Sequence, residues 1–162
     1  MKKMAKKTMS KKTAKANGAK NAFGRVILAH FGSHGRKPEN WEQTLEFFGG
    51  KCAYCGVTKN IVKDHAIPAN RKCLGTNQHG NFVPACKECN KKKRHKHYAD
   101  YCDQEKLKRA KNKITKWMRI CEYEPLTEKS VRAKRITQIL DMAYDDLDKL
   151  ADRYVKLIKL LQ

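Results

Sequence analysis

Two pairs of cysteines stand out for their spacing. Cys52-Ala-Tyr-Cys55-Gly and Cys86-Lys-Glu-Cys89 are CxxC knuckles separated by 30 residues. Each pair can offer two thiolates to one ion from a tight turn, and four thiolates match a closed, tetrahedral, structural zinc site. A redox CxxC would ordinarily come singly within a βαβ pattern, and that pattern is missing. The chain has seven cysteines, an odd number, which suits a metal site in a reducing compartment such as the cytoplasm better than a disulfide framework. Cys73, Cys102 and Cys121 have no paired partner, and Cys121 reads as a small core residue. A closed sulfur site leaves no position for water, so it hydrolyses nothing. Any chemistry must come from the residues between and just after the knuckles. These are Lys63-Asp64-His65-Ala66-Ile67-Pro68, a polar loop NRKCLGTNQHG, then Asn81, and Asn90 directly after the last cysteine.

Those residues need elements to hold them. Asn40 can cap a helix over about 41–48 that puts Trp41, Leu45 and Phe48 on one face, with Gly49-Gly50 ending it. FGRVILAHF (23–31) is a short helix or strand, and GSHGRKP (32–38) is a loop. After the knuckles, Leu107, Ala110, Ile114, Trp117 and Cys121 alternate steps of three and four, which predicts a helix over about 103–121, stopped by Pro125. A last helix begins near Thr127. Its stripe of Ala133, Ile136, Leu140, Ala143, Leu147, Leu150, Tyr154, Leu157 and Leu161 is either a homodimer seam or half of an intrachain hairpin. Tyr144, Ala151 and Ile158 widen the apolar face and favour packing on the preceding helix. Adjacent strand positions point to opposite faces, so Asp64 and His65 share a site only if their strand ends or bulges there.

The charge bounds the partners. Lys plus Arg is 37 and Asp plus Glu is 16, a formal net charge of +21. Residues 1–120 carry the whole excess, and residues 121–162 are neutral. Residues 1–20 hold eight lysines and no acids, which reads as a flexible basic arm over about 1–22. Such a field draws polyanions and releases their counterions. A solubilising surface or a membrane surface would use the same charge. No apolar run is long enough to span a membrane, and the basic start has no apolar stretch behind it to make a secretory signal.

Taken in order, CxxCG, DHxxP, Asn81 and CxxCNxxK resemble the HNH, or ββα-metal, nuclease family, in the zinc-containing branch found in restriction, homing and phage endonucleases. The resemblance covers residues about 41–98. It implies a ββα core stapled by a four-cysteine zinc site; with the flanking helices and the long C-terminal amphipathic helix read above from periodicity, the fold class is α+β. The domains are then the arm over 1–22, a nuclease core over 23–100 and a helical hairpin over 101–162 that offers a dimerisation region. His65 matches the general base, Asp64 the metal-binding residue beside it, Asn90 the second metal ligand, and Asn81 the central Asn that braces the loop and helps orient the base. The chemistry suits those types. An ordinary histidine titrates at about 6.5 and can take a proton from water near neutral pH. A hard divalent ion held by a carboxylate and an amide oxygen can neutralise a phosphate and help its leaving oxygen.

The sequence departs from the family at one point. Many members carry a His where Asn90 stands, and colicin-type members carry another one turn later, where this chain has Arg94. Asp plus Asn suits Mg²⁺ or Mn²⁺ better than a transition metal. Lys91, Lys92, Lys93, Arg94 and Lys96 follow the second ligand directly and are expected to grip phosphates near the scissile bond. His79, His95 and His97 read as solvated surface residues. The expected activity is metal-dependent cutting of duplex DNA by a homodimer of restriction type. The alternatives are a zinc-ribbon module that binds nucleic acid without cutting it, and a structure-specific or homing nuclease that nicks.

Overall fold

The computed structural model describes residues 18–30, 40–127 and 130–160. Most of the expected basic arm and the expected loop over 32–38 lie outside them. The described part combines helices with one small sheet. Residues 18–30 form helix α1. Then come α2 (Trp41–Phe48), β1 (Ile61–His65), β2 (Phe82–Cys86), α3 (Lys87–Lys93), α4 (Tyr98–Gln104), α5 (Lys108–Ile120) and α6 (Val131–Leu160).

The two strands pair antiparallel, from Ile61 opposite Cys86 to His65 opposite Phe82. Every residue of β2 is buried; the strand pairs with β1, packs against α2 and runs directly into α3. The main core gathers Phe48, Tyr54, Val83, Tyr101, Ile114 and Trp117 around this sheet. The Trp117 indole donates to the Phe82 carbonyl at 3.1 Å, which fixes the large ring without an unpaired polar atom. In α2 the Asn40 side chain accepts from the Gln43 N–H at 3.0 Å, and Gly49 closes the helix in the left-handed conformation. That matches the capping read from the sequence.

The expected helix over 103–121 is two helices. Lys106 has a positive φ of 58°, which breaks α4 from α5. Ala110, Ile114 and Trp117 face the core as the spacing required, while Leu107 sits in the break as the α5 cap and Cys121 ends α5 half-buried. α6 starts at Val131 and is capped by Ser130, whose hydroxyl oxygen accepts from the Ala133 N–H at 3.0 Å, rather than at Thr127.

The α6 stripe finds a partner other than the preceding helix. Ala133, Ile136 and Leu140 bury against Leu28 of α1 and Leu74 of the loop after β1, forming a second, smaller core. Gly24 allows the close approach, since a Cβ there would meet the Tyr144 hydroxyl at 2.3 Å. Lys20 pairs with Asp148 further along the same contact. Beyond it the stripe is uncovered: Leu150, Tyr154 and Leu157 are exposed. Among the described residues no helix is long and apolar enough to cross a membrane.

Candidate active site and zinc centre

The first knuckle is a tight turn. Cys52 N–H donates to the Val57 carbonyl at 2.8 Å and Gly56 N–H to the Cys52 carbonyl at 2.9 Å. In the second knuckle Cys86 caps α3, with its sulfur accepting from the Cys89 N–H at 3.4 Å. The sulfurs of Cys52, Cys55, Cys86 and Cys89 all lie within 4.8 Å of one another. Cys55 and Cys86 stand 3.7 Å apart. Zn–S bonds of about 2.3 Å in a tetrahedron put the sulfurs roughly 3.8 Å apart, so the cluster has the size of a zinc site. All four are free thiols. Burial and its sulfur neighbours push the Cys89 thiol up, while, against burial, the Cys89 N–H and the neighbouring sulfurs bring that of Cys86 down. Four thiolates packed this closely would repel one another without a cation between them. Cys73, Cys102 and Cys121 stand outside the cluster.

The cluster joins the start of the hairpin to the start of α3, and that sets the far end of β1 against the last turn of α3. β1 ends at His65, which lets the consecutive Asp64 and His65 border one cleft of about 650 Å³. Asp64 is buried. Tyr54 donates its hydroxyl hydrogen to Asp64 Oδ2 at 2.8 Å, and Lys93 Nζ stands 3.2 Å from the same oxygen and 3.3 Å from Oδ1. Burial raises the Asp64 carboxyl above its ordinary value, against the pull of Lys93 and Tyr54. His65 is half-buried, its ring 4.4 Å from that of Phe82. His65 Nε2 lies 2.7 Å from Asn77 Oδ1, an acceptor, so the ring donates there. A neutral ring held that way carries its lone pair on Nδ1. No feature of the polar loop singled out Asn77 in the sequence.

Asn81 is fully buried and acts on the loop, not on the histidine ring. Its Oδ1 accepts from the Ile67 N–H at 2.8 Å, and its Nδ2 donates to the Ile67 carbonyl at 3.0 Å and the Thr76 carbonyl at 2.8 Å. Asn81→Leu keeps the bulk and strands three backbone groups. It is expected to cost about 3 kcal/mol or more, read as a lower urea midpoint with an unchanged slope.

Asn90 lies on α3, half-buried, three positions before Lys93, and does not border the cleft. The basic row behind it divides. Arg94 and His95 border the cleft together with Arg25, Arg71 and Lys72. Lys91, Lys92 and Lys96 line a neighbouring groove that Arg94 also borders. Lys93 departs from the row: it is 1% exposed and donates to the His65 carbonyl at 2.7 Å besides its contacts with Asp64. It is not a surface phosphate contact in this structure. The spacing held a signal for this, because Lys93 follows Cys89 by four and Asn90 by three, on the helix face turned to the sheet. His79 is likewise buried, accepting from the Asn40 N–H at 3.2 Å and standing edge-on to Trp117. It joins α2 to the core.

No protein-family model matches the chain. It is similar to YoqL of Bacillus subtilis (strain 168), an SPbeta prophage-derived protein that its name alone assigns to the HNH endonucleases. The two are 31% identical over 65 residues, which is 33% of this chain and 27% of the relative. The chain thus spans about a quarter of the length of the relative it matches.

Proposed function

We propose that the chain is a metal-dependent endonuclease with a ββα-metal site of the HNH type, cutting duplex DNA to leave 5′-phosphate and 3′-hydroxyl ends. The observation that carries this reading is the meeting of Asp64 and His65 at the rim of a basic cleft, where the hairpin runs onto a helix pinned by four cysteine sulfurs. Zinc in the cysteine cluster is structural in this reading. His65, its Nε2–H held by Asn77, takes the proton from the attacking water. Arg25, Arg71 and Arg94 line the path of the phosphates, with Arg71 braced by Asp141. The Asp64 carboxylate is an oxygen donor suited to Mg²⁺ or Mn²⁺, which would neutralise the scissile phosphate. The Asn90 amide, three positions before Lys93 on α3 and outside the cleft lining, would reach the same ion only by turning toward the cleft.

The test uses supercoiled plasmid. Nicked or linear product with Mg²⁺, stopped by EDTA and restored by excess Mg²⁺, is the expected result. A retarded but intact plasmid would make the chain a zinc-ribbon binding module, which needs the cysteines and the charge but not Asp64 beside His65. Sequenced ends then separate a restriction-type cutter, with defined ends, from a structure-specific or homing nuclease that nicks.

Cutting both strands at a symmetric site needs two copies, since each core has one site. The uncovered Leu150, Tyr154 and Leu157 of α6 are the surface proposed to pair them. Ending the chain after Lys149 leaves Ala133, Ile136 and Leu140 in place. That truncation is expected to stay folded, to run as a monomer in light scattering where the full chain runs as a dimer, and to lose double-strand cuts before nicks. A full chain that is monomeric at micromolar concentration would remove the dimer from the reading.

A further inference from the structure

Lys93 is the most deeply buried charge in the site, and nothing in the proposed chemistry uses it. Its ammonium lies within 3.3 Å of both Asp64 oxygens and 2.7 Å from the His65 carbonyl. It therefore covers the one carboxylate that borders the cleft among the described residues. With Tyr54 also donating to Oδ2, both Asp64 oxygens are engaged by the protein's own groups. A divalent ion on the same carboxylate would put three positive charges around one negative charge within a few ångströms. That arrangement is strongly repulsive where burial weakens screening.

We infer that Lys93 is a built-in counter-cation, which holds Asp64 in the metal-free protein and must withdraw for a divalent ion to bind. This rests on the reading of Asp64 as a metal ligand. The lysine stem is long and flexible, and α3 ends at Lys93 itself, so the ammonium can swing toward the cleft beside Arg94 without moving the sheet. There it faces the phosphate path. The exchange ties ion binding to nucleic acid: the metal-free site is electrically satisfied, and an incoming phosphate supplies the negative charge that lets ion and ammonium coexist. The site thereby holds a reactive ion only weakly when no substrate is present, and saturating Mn²⁺ alone still displaces the ammonium.

Manganese binding to the zinc-loaded full chain, without nucleic acid, tests this by calorimetry or by the Mn²⁺ resonance signal. Lys93→Met and Lys93→Gln are expected to bind Mn²⁺ about tenfold or more tightly than wild type, since each removes a full charge from beside the ligand. The Gln variant keeps hydrogen-bond donors for Asp64 and guards against loss of fold in the Met variant. A second measurement needs no substitution. Acetylation of wild-type lysines, followed by mass spectrometry, is expected to leave Lys93 protected without Mn²⁺ and labelled with it. Unchanged Mn²⁺ affinity in the folded variant, or Lys93 protection that Mn²⁺ does not alter, overturns the inference. Asp64→Asn is the separate control. If it binds Mn²⁺ as wild type does, Asp64 is not the ligand, and the metal site of the nuclease reading fails instead.

Discussion

His65→Ala is expected to fold, to hold zinc, to bind DNA, and to lose about 10²- to 10⁴-fold in cutting rate, the usual contribution of a positioned base. The variant is clean for structural reasons. His65 closes β1 at the rim of the cleft and is half-buried, so its removal opens no large cavity. The loop that follows is held by Asn81, not by the ring. The neighbouring substitutions should behave differently. Asp64→Ala strips the buried Lys93 ammonium of its carboxylate, and leaving such a charge unpaired typically costs about 3–5 kcal/mol. Its lost activity would then mix unfolding with lost chemistry, so Asp64→Asn is the better comparison. Asn90→Ala is expected to recover part of its rate at high Mg²⁺ or with Mn²⁺, because it weakens a ligand. His65→Ala should not recover. Rates must be compared at equal zinc content. A His65→Ala protein that cuts as fast as wild type would refute the reading at its centre.

Cys52→Ser is expected to cost the fold itself. The cysteine cluster joins the first knuckle, the end of β2 and the start of α3, and Cys52, Cys86 and Cys89 are themselves part of the main core. Zinc binding in such modules is worth about 10–16 kcal/mol, as much as the whole stability of an ordinary domain. Losing one thiolate therefore removes the native state rather than weakening it. The purified wild-type chain should contain one zinc per molecule by elemental analysis. The variant should lack it, lose its cooperative thermal transition and be degraded by protease. Stripping zinc from wild type with a strong chelator should reproduce that state, and added zinc should reverse it. A Cys52→Ser protein that melts like wild type would show that the cluster is not what holds the hairpin to α3.

What the sequence determined by itself was local. The CxxC knuckles needed no tertiary knowledge, because two cysteines in one tight turn already face the same ion. Asn40 before an apolar run and Gly49 after it marked α2, since capping depends only on neighbours along the chain. The adjacency of Asp64 and His65 required a strand end or a bulge for the two to share a site, and β1 stops there. The periodicity gave the buried face of α5 at Ala110, Ile114 and Trp117, and that of α6 at Ala133, Ile136 and Leu140.

Periodicity does not name the partner of a face, and here the tertiary structure decided. The α6 stripe is covered by Leu28 of α1 and by Leu74, residues far apart in the chain, and only as far as Leu140. Lys93 stood third in a run of five basic residues over 91–96, and composition alone made it a solvated cation. Its burial follows from where α3 is pinned: with Cys86 and Cys89 fixed in the cluster, the next inward position falls on Asp64. Asn77 has no local mark at all, because a loop residue acquires a role only from the side chain that folding brings to it, in this case His65. The chain thus carries its cysteine cluster and its candidate base in short motifs. The electrostatic setting of that base and its neighbouring carboxylate comes from contacts across the fold: helical spacing put Lys93 on the inward face of α3, but only folding brought Asp64 to it.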